Sequence, residues 1–169
     1  MGFNYRMTDI QAAVGRVQLK RLPQLLAERR ALAGQYADAL RDVRGLQPPC
    51  IPAYARPNFQ SYPVRVSAEY PLSRDALMQK LLDEGISTRR GIMNAHQEKA
   101  YSADLCAALP ESERARDTAV LLPLYAGLTA AEVERVVTAL AVAEVSARRP
   151  RASFLSTPVA QGHETNYVT

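Results

Sequence analysis

Apolar residues recur at helical spacing near both ends of the chain and at strand spacing in its middle. Ile10, Val14, Val17 and Leu22 follow the segment Thr8-Asp9-Ile10-Gln11. That segment has the capping-box form, in which the Thr8 hydroxyl and the Gln11 side chain satisfy reciprocal backbone donors, so a helix is expected to start at Thr8. Pro23 lacks the donor that would continue the ladder and its ring crowds the preceding turn, which predicts a kink or a fresh start there. A second helical stretch then carries Leu25, Leu26, Leu32, Tyr36 and Leu40 to about Arg41, with Glu28, Arg29, Arg30 and Arg41 facing solvent.

From Gly45 to Pro57 four prolines, Pro48, Pro49, Pro52 and Pro57, remove donors and fix the backbone, so the segment is an irregular connection. Tyr62, Val64 and Val66 alternate as in a half-buried strand, with Pro63 arguing for an edge or an irregular start. Ser73 caps a helix with Leu77, Leu81 and Leu82 inside, and Gly85 stops it in a left-handed conformation. Residues 86–90 read as a short second strand and residues 91–110 as a loop with about one helical turn. Glu113 to Val120 is expected to form a helix that runs into a strand at Leu121-Leu122-Pro123-Leu124-Tyr125, ended by Gly127. Thr129-Ala130-Ala131-Glu132 is a second capping box, and Val133, Val136, Val137, Leu140 and Val145 form the stripe of the last helix.

The order of elements predicts a small α/β fold, a short sheet covered by helices, with an N-terminal helical arm. The expected divisions are 1–57 for the arm and its Pro-rich connection, 58–147 for the α/β domain, and 148–169 for an aperiodic, disordered tail. The arm is long for such a sandwich and reads as an element that joins it to something larger.

Composition narrows the function classes. With 47% hydrophobic and 22% charged residues among 169, the chain can bury one sizeable core. Its net charge of +4 comes mostly from arginine and is read as a solvated surface, because no basic run interleaved with aromatics points to nucleic acid. Cys50 and Cys106 do not make a disulfide framework, and His96 and His163 give no zinc spacing. No leader pattern and no apolar run of membrane-spanning length are found, so a reduced cytoplasmic protein is expected, with no membrane partner. Glu28, Asp38, Asp75 and Glu132 sit near helix starts and on exposed faces, so no carboxylate pair is assigned as acid and base.

Three sets of residues carry candidate binding chemistry. Asn4, Tyr5 and Arg6 precede a helix N-terminus, where free N–H groups and the dipole favour a phosphate or carboxylate; the plainer reading is a turn residue and a surface cation. His96 lies in the long loop, where it either meets a ligand or serves the structure. Arg89 and Arg90 either face an anion or are solvated beside a turn.

Gly2-Phe3-Asn4-Tyr5-Arg6-Met7-Thr8-Asp9-Ile10-Gln11-Ala12-Ala13-Val14-Gly15, followed by Gln18-Leu19-Lys20-Arg21-Leu22, closely resembles a signature of the DegT/DnrJ/EryC1/StrS family. Further similar segments are Gln60-Ser61-Tyr62-Pro63-Val64-Arg65-Val66, Gly85-Ile86-Ser87-Thr88-Arg89-Arg90-Gly91, Ala95-His96, and Leu122-Pro123-Leu124-Tyr125-Ala126-Gly127-Leu128-Thr129. They run in order over about residues 2 to 145. The resemblance implies the smaller C-terminal domain of a fold-type-I, pyridoxal-phosphate-dependent aminotransferase acting on nucleotide-linked keto sugars, commonly with glutamate as donor.

By that resemblance Asn4, with Tyr5 and Arg6, reaches the cofactor phosphate of a neighbouring subunit, and His96, Arg89 and Arg90 face the substrate, the arginines its diphosphate. The family's cofactor lysine sits in a Ser-x-x-Lys context upstream. Lys20, Lys80 and Lys99 are preceded three residues earlier by Val17, Leu77 and His96, so none matches. The expectation is a chain with no catalytic residue of its own, holding no pyridoxal phosphate alone, and either self-associating or joining a lysine-bearing large domain. The alternative is a non-catalytic binding or regulatory module docking on an intact homologue through the helical arm. A start at the edge of the motif is expected of an internal Met start or a broken gene.

Overall fold

The computed structural model describes residues 5–98, 101 and 108–148, the last seven of these by their helical backbone alone. Asn4, Lys99, Cys106, His163 and the expected tail from residue 149 onward lie outside the described residues.

The first helix, α1, spans Asp9–Ala39 and begins as the capping box requires: Gln11 N donates to Thr8 Oγ1 at 3.3 Å and Thr8 N donates to Gln11 Oε1 at 2.9 Å. The fresh start expected as one alternative at Pro23 does not occur, since α1 continues through that residue. Proline costs one ladder bond and a local clash, and the long helix keeps the bonds on either side. A second correction concerns Arg29 and Arg30, which do not simply face water. Arg29 donates to the Phe59 and Gln60 carbonyls at 2.9 and 3.0 Å, and Arg30 donates to the Pro57 carbonyl at 3.1 Å. A proline-rich connection has carbonyls with no ladder partner, and the two guanidinium groups satisfy them.

The sheet holds β1 (Leu46–Gln47), β2 (Tyr62–Val66), β3 (Arg89–Arg90) and β4 (Ala119–Leu122) in the order β1-β2-β4-β3, every pair antiparallel. Thus β2 is an interior strand despite Pro63. Its partner β1 opposes only Arg65 and Val66, so no β1 residue faces Pro63 and the missing donor is tolerated there. Helix α2 (Arg74–Asp83) starts at Ser73, whose hydroxyl accepts from Ala76 N at 3.3 Å, and Gly85 follows it at φ +75°. Leu77 and Leu81 are buried as expected, while Leu82 lies exposed on the outer side.

The late elements shift from their expected bounds. Helix α3 spans Pro110–Thr118 and gives Ala119 and Val120 to β4, because these residues pair with Arg65 and Val64. The last helix, α4, spans Ala130–Arg148, with Thr129 N and Oγ1 both donating to Glu132 Oε2 at 2.8 Å.

Packing joins the arm to the domain. Leu32, Ala33, Tyr36, Leu40, Val43 and Leu46 belong to the same buried cluster as Tyr62, Val64, Val120, Leu122, Val136 and Leu140. Core residues therefore come from both sides of residue 57. At the centre the Tyr36 and Tyr62 rings stack with centroids 5.1 Å apart. Burial pushes both phenols up, Tyr62 to about 12. Tyr36 Oη donates to the Pro123 carbonyl at 3.0 Å, whereas Tyr62 Oη is buried with no hydrogen-bond partner among the described residues.

This difference gives a paired expectation. Tyr36→Phe should cost about 1 kcal/mol through the lost bond, while Tyr62→Phe, which removes an unsatisfied buried hydroxyl, should be neutral or stabilising. Urea unfolding of both variants measures this, and an equal loss in the two would show that the Tyr62 hydroxyl has a partner.

Candidate functional site

The three sequence-derived sets of residues occupy different places. Tyr5 and Arg6 are exposed ahead of α1, and Asn4 lies outside the described residues. The first turn of α1 contains Asp9, a carboxylate at the end that would otherwise attract an anion. Anion affinity there would rest on the Asn4 and Arg6 side chains rather than on the dipole.

Arg89 and Arg90 are consecutive on β3, and consecutive strand residues point to opposite faces. Arg89 opposes Leu121, which is half-buried in the same row as Pro63. Arg90 opposes Val120, a fully buried core residue. The two guanidinium groups accordingly line different cavities. Arg89 shares a groove of about 450 Å³ with Gln60, Ser61, Thr88, Ile92 and Pro123. Arg90 lines a cavity of about 310 Å³ with Asp75, Met78 and Gln79, and its Nε lies 3.8 Å from Asp75 Oδ1.

His96 stands in a 3₁₀ turn, Ala95–Gln97, and is mostly buried. Its Nε2 lies 3.1 Å from Glu113 Oε1 in α3. An ionised carboxylate only accepts, so this bond requires the proton on Nε2. The His96 bond, followed by the Leu109 backbone N–H, holds the Glu113 carboxyl below the usual range. Next to this pair Arg116 donates to Gln97 Oε1 at 2.8 Å, and Asn94 Nδ2 donates to the same oxygen at 2.9 Å. The loop is thus tied to α3 by two side-chain pairs, and the described partner of His96 is a structural carboxylate.

Sequence reading missed Glu113, Gln97 and Arg116, and it missed the convergence of Gln60, Ser61 and Thr88 on Arg89. A signal for the former was present: Pro110 at the first helical position, followed by Glu111 and Glu113, marks a helix start three residues before the expected one. Nothing in the linear pattern brings residues 60 and 61 beside residues 88 and 89.

Among the described residues no group of three or more His, Cys, Asp or Glu side chains could hold a metal ion, and no helix is long and apolar enough to cross a membrane. Two of the three lysines lie among the described residues. Lys20 is exposed on α1, and Lys80 pairs with Glu84 on α2.

A family model for the DegT/DnrJ/EryC1/StrS aminotransferase family matches residues 1–141. The aminotransferase TlmJ from Streptoalloteichus hindustanus is 33% identical, superposes with a TM-score of 0.73, and is matched over 82% of this chain and 36% of its own. The sugar aminotransferase CalS13 from Micromonospora echinospora is 27% identical at a TM-score of 0.74, over 83% of this chain and 37% of its own. Spr1654 from Streptococcus pneumoniae, solved in a PLP form, shares the fold at 23% identity and a TM-score of 0.74, over 84% of this chain and 37% of its own. The matched region is therefore well under half of each of these chains.

Proposed function

This chain belongs to the DegT/DnrJ/EryC1/StrS aminotransferase family, and from that premise we propose that it forms the small-domain wall of a sugar-aminotransferase active site. The reaction moves an amino group, with glutamate as the donor, onto a nucleotide-linked keto sugar. Pyridoxal phosphate supplies the electron sink when bound and is anchored on a lysine of a large domain that these 169 residues do not provide. Asn4, Tyr5 and Arg6 reach towards the cofactor phosphate of a neighbouring subunit, and the β3 groove and the His96 loop border the sugar side.

One observation carries the reading. The family match runs over residues 1–141, and the chains it resembles include the aminotransferase TlmJ and the sugar aminotransferase CalS13, of which it spans 36% and 37%. The wall role also accounts for α1, whose N-terminal half covers no buried core among the described residues. Ile10, Val14 and Val17 are 79%, 58% and 57% exposed.

The test compares the chain alone with the chain mixed with a lysine-bearing large domain of a family member. Alone, with pyridoxal phosphate and glutamate, it should transfer no amino group and give no borohydride-fixed label at a single lysine. In the mixture, turnover should appear and fall when Asn4 is replaced by Ala. Turnover by the chain alone, with one lysine labelled stoichiometrically, would overturn the reading. A mixture that binds tightly but never turns over would instead favour a regulatory module docking on an intact homologue.

A further inference from the structure

We propose that Arg29 is a positioning residue for the sugar side of the site: it holds Phe59 in a left-handed turn and so sets how Gln60 and Ser61 enter the groove beside β3. The proposal rests on the aminotransferase reading for what the groove receives. The turn itself rests on backbone geometry.

Phe59 has φ +45° and is the one non-glycine residue with positive φ among the described residues. A bulky side chain strains that conformation, which persists only where the surroundings over-determine it. Arg29 Nη1 donates to the Phe59 carbonyl at 2.9 Å and to the Gln60 carbonyl at 3.0 Å. Consecutive carbonyls point apart in an extended strand, so their meeting at one nitrogen requires a turned backbone. Other contacts lie beside this point. Arg30 holds the Pro57 carbonyl, Asn58 Oδ1 accepts from Gln60 N at 3.1 Å, and the Phe59 ring centroid lies 6.2 Å from that of Tyr62. Of these hydrogen bonds, only those of Arg29 tie the carbonyls of Phe59 and Gln60 to another element.

The strain lies where the groove begins. β2 pairs with β4 from Tyr62 onward, so the sheet register needs nothing from Phe59. Gln60 and Ser61 stand between the strained residue and the first paired one. Both line the groove of about 450 Å³ with Thr88, Ile92, Pro123 and Tyr125. A relaxed Phe59 would leave the strand in place and redirect these two side chains. Such a shift acts on whatever the groove holds, because a misplacement of about 1 Å can cost about a hundredfold in rate.

The first test reads the backbone of the full chain. An intense intraresidue nuclear Overhauser effect between the amide proton and Hα marks a positive φ, because the two protons then lie closest. It should be present at Phe59 and vanish in Arg29→Gln. It should survive in Arg29→Lys, whose ammonium can still donate to both carbonyls, and in Arg30→Gln, which loses only the Pro57 bond. The second test mixes each chain with the lysine-bearing large domain of a family member and uses that member's own keto sugar as the probe. Arg29→Gln should raise KM for the sugar by at least about tenfold and change the glutamate half-reaction by less than about twofold, with most of the loss recovered in Arg29→Lys. Arg30→Gln should change either quantity by less than about twofold.

A Phe59 that stays left-handed in Arg29→Gln would overturn the proposal. Equal KM increases in the Arg29 and Arg30 glutamine variants would overturn it too, as would a glutamate half-reaction slowed as much as the sugar half, the mark of a merely structural role. If the unsubstituted mixture never turns over while Phe59 still follows Arg29, the aminotransferase reading falls and the sugar-side role with it. If turnover appears and Phe59 ignores Arg29, the positioning role falls and the family reading stands.

Discussion

Replacing Val14 and Val17 together by glutamate should turn a self-associating chain into a monomer. In α1, Ile10, Val14, Val17, Leu25, Leu32 and Tyr36 lie within about 100° of arc at 3.6 residues per turn. The same arc also holds Gln18, Arg21, Glu28 and Gln35, so this apolar face is interrupted between its two ends. Its C-terminal part, with Leu32 and Tyr36, is buried in the core. Its N-terminal part continues past the domain and is exposed, which is the form of a surface awaiting a second copy or a larger domain.

Full burial of a valine or isoleucine is worth about 1.5–3 kcal/mol, and each of two associating chains carries both substitutions, so association should weaken by more than about a thousandfold. Glutamate is a good helix former and both positions are solvent-facing, so the folded monomer should keep its stability. Sedimentation at micromolar concentration, beside urea unfolding, measures both effects. A monomeric natural chain would sink the argument, as would a double variant of unchanged mass. Removing the arm by starting near Asn58 is not an equivalent control, because it deletes Leu32, Tyr36, Leu40 and Val43 from the core.

Gly45→Ala should be the most damaging single-methyl substitution in the fold. Gly45 has φ +82°, and a Cβ built there would lie 2.3 Å from Tyr70 N and 2.6 Å from Tyr70 Cα. Backbone atoms cannot swing aside as a flexible side chain can. Tyr70 is further held by its hydroxyl, which donates to the Leu140 carbonyl at 2.7 Å, and the Gly45 carbonyl accepts from Ser67 N at 2.8 Å. Left-handed strain of about 1–2 kcal/mol adds to about 1–3 kcal/mol of overpacking, a sum of about 2–5 kcal/mol. Set against a typical stability of about 5–15 kcal/mol, that can unfold the domain.

Gly127→Ala separates the two contributions. Gly127 has φ +88° but open space at its Cβ position, so only the conformational cost of about 1–2 kcal/mol should appear. Urea midpoints for both variants decide the matter. Equal losses would mean that the approach to Tyr70 relaxes freely and that the turn, not the contact, sets the cost.

The sequence by itself determined the elements whose cause is local. The capping boxes at Thr8 and Thr129 and the Ser73 cap formed as read, because each is closed by side chains within three residues. Alternation at Tyr62, Val64 and Val66 set the buried face of β2 for the same reason. The family was legible because its segments fall in order along the chain and need no folded geometry to be matched.

Tertiary structure alone decided what depends on partners distant in sequence. β1 stops before Pro63, so that residue can stand in an interior strand. Arg29 and Arg30 look like solvent-facing charges until the connection some 27–31 residues away presents its carbonyls. Arg89 and Arg90 are indistinguishable as a dipeptide. Only pairing with β4 places one beside Ser61 and Thr88 and the other beside Asp75. His96 similarly acquires its partner from a helix 17 residues on. Local patterns encode hydrogen bonds that close within a turn or between alternate residues. The charge balance of a cavity is a sum over segments that only the sheet register brings together.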